Sequence, residues 1–255
     1  MSGGRPARVV AVSLKMYFGH ARTMAYCDAL AAVAEAEPGV GSGAVELVVL
    51  PSFVSVPGAL WHLSGTAVRV GAQDLASHDE GAYTGEVSGA VLREFGCTHV
   101  EVGHAERRTL FGEGPDVVAA KVRAAVRNGL TPLLCVGEAD RMPPADAAAE
   151  VLRQVVDALP AGLDSEVLLA YEPFWAIGAE RPASPVHVAE VVAHLRVAVG
   201  SRWPGLRVVY GGSAGPGLAT TLGDAVDGLF LGRFAHDPEA VRTVVREYAA
   251  LVQPG

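Results

Sequence analysis

Three polar side chains of this sequence directly follow short apolar runs and could together move a proton: Lys15, His104 and Glu172. A carboxylate in the aromatic and aliphatic surroundings of Glu172 becomes a good base toward carbon once water is excluded. A histidine that opens a helix, as expected of His104, is kept neutral by the positive end of the helix dipole and can donate a hydrogen bond to a carbonyl oxygen. Lys15 could supply a fixed cation for an anionic ligand.

Each of these side chains, taken alone, also has a purely structural interpretation. Lys15 could extend from a strand end into water, His104 could be satisfied by the backbone of its helix, and Glu172 could bind a neighbouring arginine. Glu106, Arg107 and Arg108 are expected to form a salt-bridge cluster with Glu113. The functional interpretation therefore requires that the three side chains meet in the fold.

Glycines at two further strand ends could hold a phosphate. They lie in Gly211-Gly212-Ser213 and in Gly232-Arg233. A glycine lets backbone N–H groups approach phosphate oxygens closely, and the loops after strands seven and eight of a (β/α)8 barrel often bind phosphate. Paired glycines are also common turn residues, so either motif alone indicates little. Backbone donors suit a chain with a formal net charge of −8, which must hold any anion with local groups.

Eight apolar runs predict the strands that would position these residues. The runs are Val9–Leu14, Val45–Leu50, Ala67–Ala72, Thr98–Val102, Thr131–Val136, Val167–Tyr171, Arg207–Tyr210 and Gly228–Leu231. Most are apolar on successive residues, as expected for a parallel sheet covered on both faces. Predicted helices lie between them: Arg22–Glu37, Asp116–Arg127, Ala145–Leu159, Pro185–Val199 and, after the last run, Pro238–Leu251.

This alternation allows an open doubly wound sheet or a closed (β/α)8 barrel. A doubly wound dinucleotide-binding fold should have GxGxxG directly after its first strand. The sequence there is Lys15-Met16-Tyr17-Phe18-Gly19, which lacks that motif. We therefore predict an α/β fold consisting of one (β/α)8 barrel domain over residues 1–255.

The composition argues against several functional classes. Half of the residues are hydrophobic and 19% are charged, which is typical of a chain with a large core. The net negative charge argues against a nucleic-acid partner, and no apolar segment is long enough to predict a membrane span. Neither the histidines nor Cys27, Cys97 and Cys135 show ligand or disulfide spacing, so we expect no metal and a cytoplasmic location. Cys135 has no base beside it and is expected to pack as a small buried side chain.

Six motifs along the chain resemble those of the triosephosphate isomerase family. They are Ser13-x-Lys15-Met16, Gly71-Ala72-Gln73, Gly81-Ala82-Tyr83-Thr84-Gly85-Glu86, Gly103-His104-Ala105-Glu106-Arg107-Arg108, Tyr171-Glu172-Pro173-Phe174-Trp175-Ala176-Ile177-Gly178 and Tyr210-Gly211-Gly212-Ser213. The match runs from the first predicted strand to the eighth. The resemblance implies the TIM (β/α)8 barrel and an aldose-ketose isomerase that acts on a small phosphorylated ketose or aldose without a cofactor.

The resemblance also implies roles for individual residues. Glu172 would be the base, His104 and Lys15 the neutral and cationic electrophiles, and Glu106 a supporting carboxylate near the site. The implied substrate- and phosphate-binding positions are Ser13, Lys15, Gly178, Ser213, Gly232 and Arg233. A segment from Gly178 to Ala183 could close over the substrate and exclude water. The family resemblance further implies a homodimer, in which the loop from Gly81 to Glu86 brings Thr84 close to the active site of the neighbouring subunit.

Departures from the family pattern bear on the substrate. Ser13 stands where the family usually has Asn, Ala105 where it has Ser, and Gly232-Arg233-Phe234 where it has Gly-Gly-Ala. These changes are similar to the family branch that acts on phosphorylated four-carbon ketoses such as erythrulose phosphate. The main expectation is interconversion of dihydroxyacetone phosphate and D-glyceraldehyde 3-phosphate through an enediolate. The alternatives are isomerisation of a four-carbon ketose phosphate on the same site, and a barrel that binds a sugar phosphate without turning it over.

Overall fold

The computed structural model describes residues 8–177 and 183–252, and eight parallel strands in this part of the chain form a closed barrel. The strands pair in chain order, and β1 closes the barrel by pairing with β8. Their bounds are β1 (Arg8–Ser13), β2 (Val45–Leu50), β3 (Arg69–Ala72), β4 (His99–Val102), β5 (Thr131–Val136), β6 (Val167–Tyr171), β7 (Leu206–Tyr210) and β8 (Gly228–Leu231). The predicted (β/α)8 fold is thereby confirmed, with strand ends that differ from the predicted ones by at most two residues.

Helices connect the strands and cover the outside of the barrel. Those in the described ranges are α1 (His20–Ala36), α2 (Pro38–Gly41), α3 (Val56–His62), α4 (Gly89–Phe95), α5 (Ala105–Leu110), α6 (Pro115–Arg127), α7 (Pro144–Ala158), α8 (Pro185–Val199), α9 (Leu218–Leu222) and α10 (Pro238–Val252). Short 3-10 turns lie at Phe53–Ser55, Phe174–Ala176, Gly223–Ala225 and Arg233–His236. None of the described helices has both the length and the apolar run needed to cross a membrane.

Proline marks the start of several helices. Pro115, Pro144 and Pro185 occupy the first turn of α6, α7 and α8. A proline fits there because the N–H groups of the first turn have no partner within the helix and its fixed φ suits helical backbone. The predicted starts of these helices consequently agree with the structure to within one residue.

The strand side chains alternate between two packed layers. One layer lies inside the barrel and is formed by Val9, Ala11, Val48, Leu50, Leu133, Cys135, Leu168, Ala170, Val209 and Phe230. The intervening side chains, such as Val10, Val12 and Val100, pack outward against the helices. Because the strands are buried on both faces, most of their sequences are continuous apolar runs. Side chains at the carboxyl ends of the strands therefore rise from a rigid, filled interior.

Candidate active site

The polar residues predicted from different strand ends meet around one cavity of about 250 Å³. Its lining includes Ser13, Lys15, His104, Glu106, Glu172, Ser213, Gly232 and Arg233. These residues follow or end β1, β4, β6, β7 and β8, so the cavity lies at the carboxyl end of the barrel. Gly178 and most of the predicted lid fall outside the described residues. Among the residues that are described, no group of three or more His, Cys, Asp and Glu side chains is arranged to hold a metal ion.

The backbone fixes the tautomer of His104. This residue caps the start of α5, and its Nδ1 accepts a hydrogen bond from the backbone N–H of Glu106 at 3.1 Å. An acceptor Nδ1 carries no proton, so the proton of the neutral ring is on Nε2. Nε2 lies 3.7 Å from Glu172 Oε2, beside the cavity. His104 can therefore donate a hydrogen bond from Nε2 to a ligand oxygen placed between the two side chains.

One carboxylate oxygen of Glu172 lies at the same place, beside the cavity and next to His104 Nε2. Its side chain is only 7% exposed, and Oε2 has no hydrogen-bond partner in the described structure. Oε1 faces the backbone N–H of Gly212 at 3.4 Å. A side chain at position 211 could not coexist with this carboxylate, because a Cβ on Gly211 would lie 2.4 Å from Glu172 Cγ. A buried, unpartnered carboxylate oxygen next to a cavity is suited to accept a proton from a bound ligand.

Lys15 is held above the cavity in an unusual backbone conformation. Its φ is +47°, the one positive φ of a non-glycine residue in the described part of the chain. This left-handed conformation is uncommon for residues with a Cβ and often occurs at functional sites. Lys15 Nζ donates to Glu106 Oε1 at 2.6 Å, and both side chains line the cavity. The Glu106 carboxylate thus holds the ammonium group where it can meet an anionic ligand, rather than joining the arginine cluster.

Backbone amides line the other end of the cavity. Gly212 and Ser213 follow β7, and Gly232 and Arg233 follow β8. Gly212 has a φ of +77°, a conformation that glycine adopts without strain. Gly212, Ser213 and Gly232 carry small or no side chains, which leaves room for a phosphate near the N–H groups of these segments, and the Arg233 side chain adds a positive charge.

Two of the predicted supporting residues do not line the cavity. Thr84 is exposed on the loop between β3 and α4, so its predicted role toward a neighbouring subunit remains a prediction. Cys135 is fully buried inside the barrel. Burial, together with the nearby carboxylates of Glu172 and Glu101, raises the pKa of the Cys135 thiol well above its usual range. A thiol in that state is a poor nucleophile, which agrees with packing as its main role.

Sequence reasoning assigned no role to Glu101, which lies directly behind the site. Glu101 projects into the barrel from β4, is 3% exposed, and accepts a hydrogen bond from Ser13 Oγ at 2.9 Å. Burial and the charge of Glu172 raise its pKa from 4.5 to about 7, against the opposing effects of His104, Ser13 and Lys15. The sequence signal that could have identified Glu101 is a charged residue between the apolar Val100 and Val102.

Replacing Glu101 with glutamine is expected to change how stability depends on pH. A carboxyl group whose pKa is raised in the folded state stabilises the protein fully below its unfolded pKa, and this contribution is lost as pH rises through the folded pKa. From pH 4 to pH 8, the free energy of unfolding of the wild type should fall relative to that of Glu101→Gln by about 3 kcal/mol. Urea denaturation of both proteins at several pH values measures this difference. Parallel profiles would show that Glu101 titrates normally.

Other residues of the cavity were also missed. They are Tyr17, Ile177, Phe230, Leu231 and Phe234. The side chains of this set are apolar or aromatic and give little signal in a sequence rich in such residues. Glu138 was missed as well: it is fully buried after β5 and accepts hydrogen bonds from Trp175 Nε1 at 2.8 Å and Tyr171 Oη at 3.2 Å. Glu138 thereby fixes the chain just before the predicted lid.

A base, a neutral imidazole, an amine and a cluster of backbone donors around one cavity suit the isomerisation of a sugar phosphate. A family model described as triosephosphate isomerase matches residues 8–248. The chain belongs to the triosephosphate isomerase family. It is therefore an isomerase of sugar phosphates, with the TIM barrel fold that the motifs predicted.

Individual members of the triosephosphate isomerase family resemble the chain over more than four fifths of its length. It is 48% identical to L-erythrulose-1-phosphate isomerase of Pectobacterium atrosepticum, covering 92% of this chain and 93% of that one. It is 38% identical to triosephosphate isomerase of Moorella thermoacetica, covering 82% and 88%. The crystal structure of triosephosphate isomerase from Bartonella henselae superposes with a TM-score of 0.80 at 30% identity, covering 94% of this chain and 98% of that one.

Proposed function

We propose that the chain isomerises a phosphorylated four-carbon ketose, with L-erythrulose 1-phosphate as its substrate. The observation that carries this proposal is the 48% identity to the L-erythrulose-1-phosphate isomerase of P. atrosepticum. The similarity to the triosephosphate isomerase of M. thermoacetica is lower, at 38%. The main expectation from the sequence, dihydroxyacetone phosphate, is therefore the second candidate, and the four-carbon alternative is the better supported one.

The proposed reaction moves one proton between adjacent carbons. Glu172 removes the proton from C3 of L-erythrulose 1-phosphate, and the electron pair of that C–H bond forms the double bond of a 2,3-enediolate while the C2 carbonyl becomes an oxyanion. Glu172 then returns a proton to C2 while the proton of the C3 hydroxyl passes to the C2 oxygen, which gives a hydroxyl group at C2 and a ketone at C3. No atom is gained or lost. Because C3 carries a hydroxymethyl group, the product is a second ketose phosphate, whereas a three-carbon substrate would give an aldehyde.

His104 and Lys15 stabilise the charge that develops during this transfer. The Nε2 proton of His104 lies on the same side of the cavity as Glu172, and it can donate to whichever enediolate oxygen bears the charge. The Lys15 ammonium adds a fixed positive charge. The amides of Ser213, Gly232 and Arg233 would hold the phosphate and fix which carbons lie against Glu172.

Comparison of two substrates tests the proposal. The purified protein is assayed at pH 8 with L-erythrulose 1-phosphate and with dihydroxyacetone phosphate, and kcat/KM is measured for each. We expect the four-carbon substrate to be favoured by at least about 10-fold, since one added polar group contributes on the order of 1.4 kcal/mol in a site built for it. A higher kcat/KM for dihydroxyacetone phosphate would contradict the proposal and favour the second candidate.

The proposal includes a homodimer that covers the apolar face next to Lys15. Met16 is 93% exposed, and Leu110 and Phe111 are 75% and 65% exposed. Met16 and Phe111 line a smaller cavity of about 200 Å³ that adjoins the active site. Contiguous exposed apolar side chains of this kind are typical of an interface. The exposed 81–86 loop of a second copy, with Thr84 near its tip, would fill this cavity.

Replacing Met16 with glutamate is expected to convert the dimer to a monomer. Burying an unpaired carboxylate in an apolar interface costs more free energy than the interface can supply at micromolar protein concentration. Sedimentation velocity measures the mass of the wild type and the variant. Val197→Glu is the control, because Val197 is also highly exposed, at 83%, but lies on α8. A monomeric wild type, or a dimeric Met16→Glu variant, would contradict this interface.

The cytoplasmic location stays a prediction.

A further inference from the structure

A hydrogen bond between a residue of β1 and a residue of β4 makes one side of the active site a hydrogen-bond acceptor. Ser13 Oγ donates its proton to Glu101 Oε2 at 2.9 Å. Both residues are 3% exposed, and among the described residues Ser13 is the only hydrogen-bond partner of the Glu101 side chain. A serine hydroxyl has one proton and two lone pairs. With its proton committed to Glu101, Ser13 can offer only lone pairs to the cavity.

Two polar side chains next to Ser13 at this cavity, those of Lys15 and His104, have the opposite polarity. Lys15 and His104 present N–H donors, which suit carbonyl and enediolate oxygens. Ser13 lines both the active-site cavity and the smaller adjoining cavity, and Glu101 lines the smaller one. An acceptor backed by a carboxylate repels an oxyanion and favours a ligand hydroxyl, which can donate a hydrogen bond. The site thus separates a place for charged oxygens from a place for a neutral hydroxyl.

We propose that Ser13 and Glu101 form a subsite for the hydroxyl of the extra hydroxymethyl group that distinguishes a four-carbon ketose phosphate from a three-carbon one. This inference rests on the proposed function and deepens it by naming the residues that select the longer substrate. Ser13 accepts the hydrogen bond from the ligand hydroxyl. Glu101 is a positioning residue that touches no ligand atom and keeps the Ser13 proton turned away from the cavity.

The small side chain of Ser13 also contributes to the selection of the longer substrate. A serine at the end of β1 leaves space above it, next to Lys15 and His104, that a larger side chain would occupy. The added carbon of the substrate needs this space, and its hydroxyl needs an acceptor within it. A three-carbon ligand has no group for this place, so it does not gain the hydrogen bond to Ser13.

Two ligands that cannot isomerise separate binding from turnover. Erythritol 4-phosphate and glycerol 3-phosphate both carry a phosphate but no carbonyl, and they differ by one CHOH unit. Their affinities are measured by isothermal titration calorimetry at pH 8 for the wild type, Ser13→Ala, Glu101→Met and Glu101→Gln. The kcat/KM values for L-erythrulose 1-phosphate and dihydroxyacetone phosphate are measured on the same proteins.

We expect the wild type to prefer erythritol 4-phosphate, and this preference to fall about 10-fold in Ser13→Ala, which lacks the acceptor. Glu101→Met is expected to cause a similar fall, because the Ser13 proton loses its partner and can turn toward the ligand. Glu101→Gln retains an acceptor oxygen and should keep the preference to within about 3-fold of the wild type. Glycerol 3-phosphate should bind all four proteins with similar affinity.

An unchanged preference in Ser13→Ala would overturn the inference while leaving the proposed function intact. Equal losses in Glu101→Gln and Glu101→Met would also overturn the role of Glu101, since only the second variant removes the acceptor. If the Glu101→Met variant does not fold, the preference of Ser13→Ala between the two ligands tests the inference by itself. A wild type that neither isomerises L-erythrulose 1-phosphate nor prefers erythritol 4-phosphate would show instead that the proposed function is wrong, and the inference would fail with it.

Discussion

Shortening Glu172 to aspartate is expected to lower kcat by about 100-fold with little change in KM. The substitution withdraws the carboxylate by about 1 Å from a reacting carbon that the phosphate-binding loops hold in place, and a displacement of this size costs roughly 100-fold in rate. KM should change little because Glu172 is not among the groups that hold the phosphate. Steady-state kinetics with L-erythrulose 1-phosphate measures both constants.

Glu172→Gln is the matched variant, since it keeps the length of the side chain and removes its basicity. We expect a larger loss of kcat for Glu172→Gln, on the order of 10³-fold, within the range of general-base catalysis. Circular dichroism and thermal unfolding should show that both variants are folded. Turnover close to that of the wild type in either variant would remove Glu172 from the mechanism.

Replacing His104 with alanine is expected to lower kcat by about 10² to 10³-fold, the usual effect of deleting one donor to a developing oxyanion. The hydrogen bond from the Glu106 amide to Nδ1 directs the Nε2 proton toward the cavity, so no other group in the described part of the site takes over this position. Glycerol 3-phosphate, which has no carbonyl, should bind His104→Ala with an affinity within about 3-fold of the wild type. A variant that loses this affinity but keeps kcat would show that His104 serves in binding rather than in catalysis.

The barrel could be predicted from the sequence because its strands are buried on both faces. Runs such as Val45–Leu50 and Thr131–Val136 are apolar throughout, and the structure has strands with these same bounds. Short helices such as α3 (Val56–His62) and α4 (Gly89–Phe95) were not predicted, and only the start of α5 (Ala105–Leu110), at His104, was. Segments of six or seven residues are too short to show a helical period, and their stability comes from packing on the barrel.

The chemistry-bearing residues could be predicted from their positions at strand ends. The barrel topology alone brings Lys15, His104 and Glu172 to one rim. Recognising the strands was therefore enough to predict that these side chains lie close together. Glu101 could not be found in this way, because its role depends on a hydrogen bond between two strands that are not neighbours in the barrel. The salt bridge between Lys15 and Glu106 was missed for the same reason: the two residues meet only in the fold.

The choice of substrate lies beyond what the strand pattern determines. Three- and four-carbon ketose phosphates need the same base, the same donors and the same phosphate loops. They differ in one hydroxymethyl group, which in the proposed function would be recognised by Ser13 and by the space around it. Selectivity of this kind amounts to about 1 to 3 kcal/mol, a small fraction of the interactions that the two substrates share.

Isomerisation of L-erythrulose 1-phosphate in deuterium oxide tests the central claim, that Glu172 carries a proton between two adjacent carbons of a phosphorylated ketose. Proton NMR follows the signals of C2 and C3 with the wild type and with Glu172→Gln. The account predicts that the wild type forms the isomeric ketose phosphate with solvent deuterium on the newly protonated carbon, and that Glu172→Gln incorporates deuterium at least about 10³-fold more slowly. Undiminished incorporation of deuterium by the Glu172→Gln variant, or no conversion of the sugar by the wild type, would contradict it.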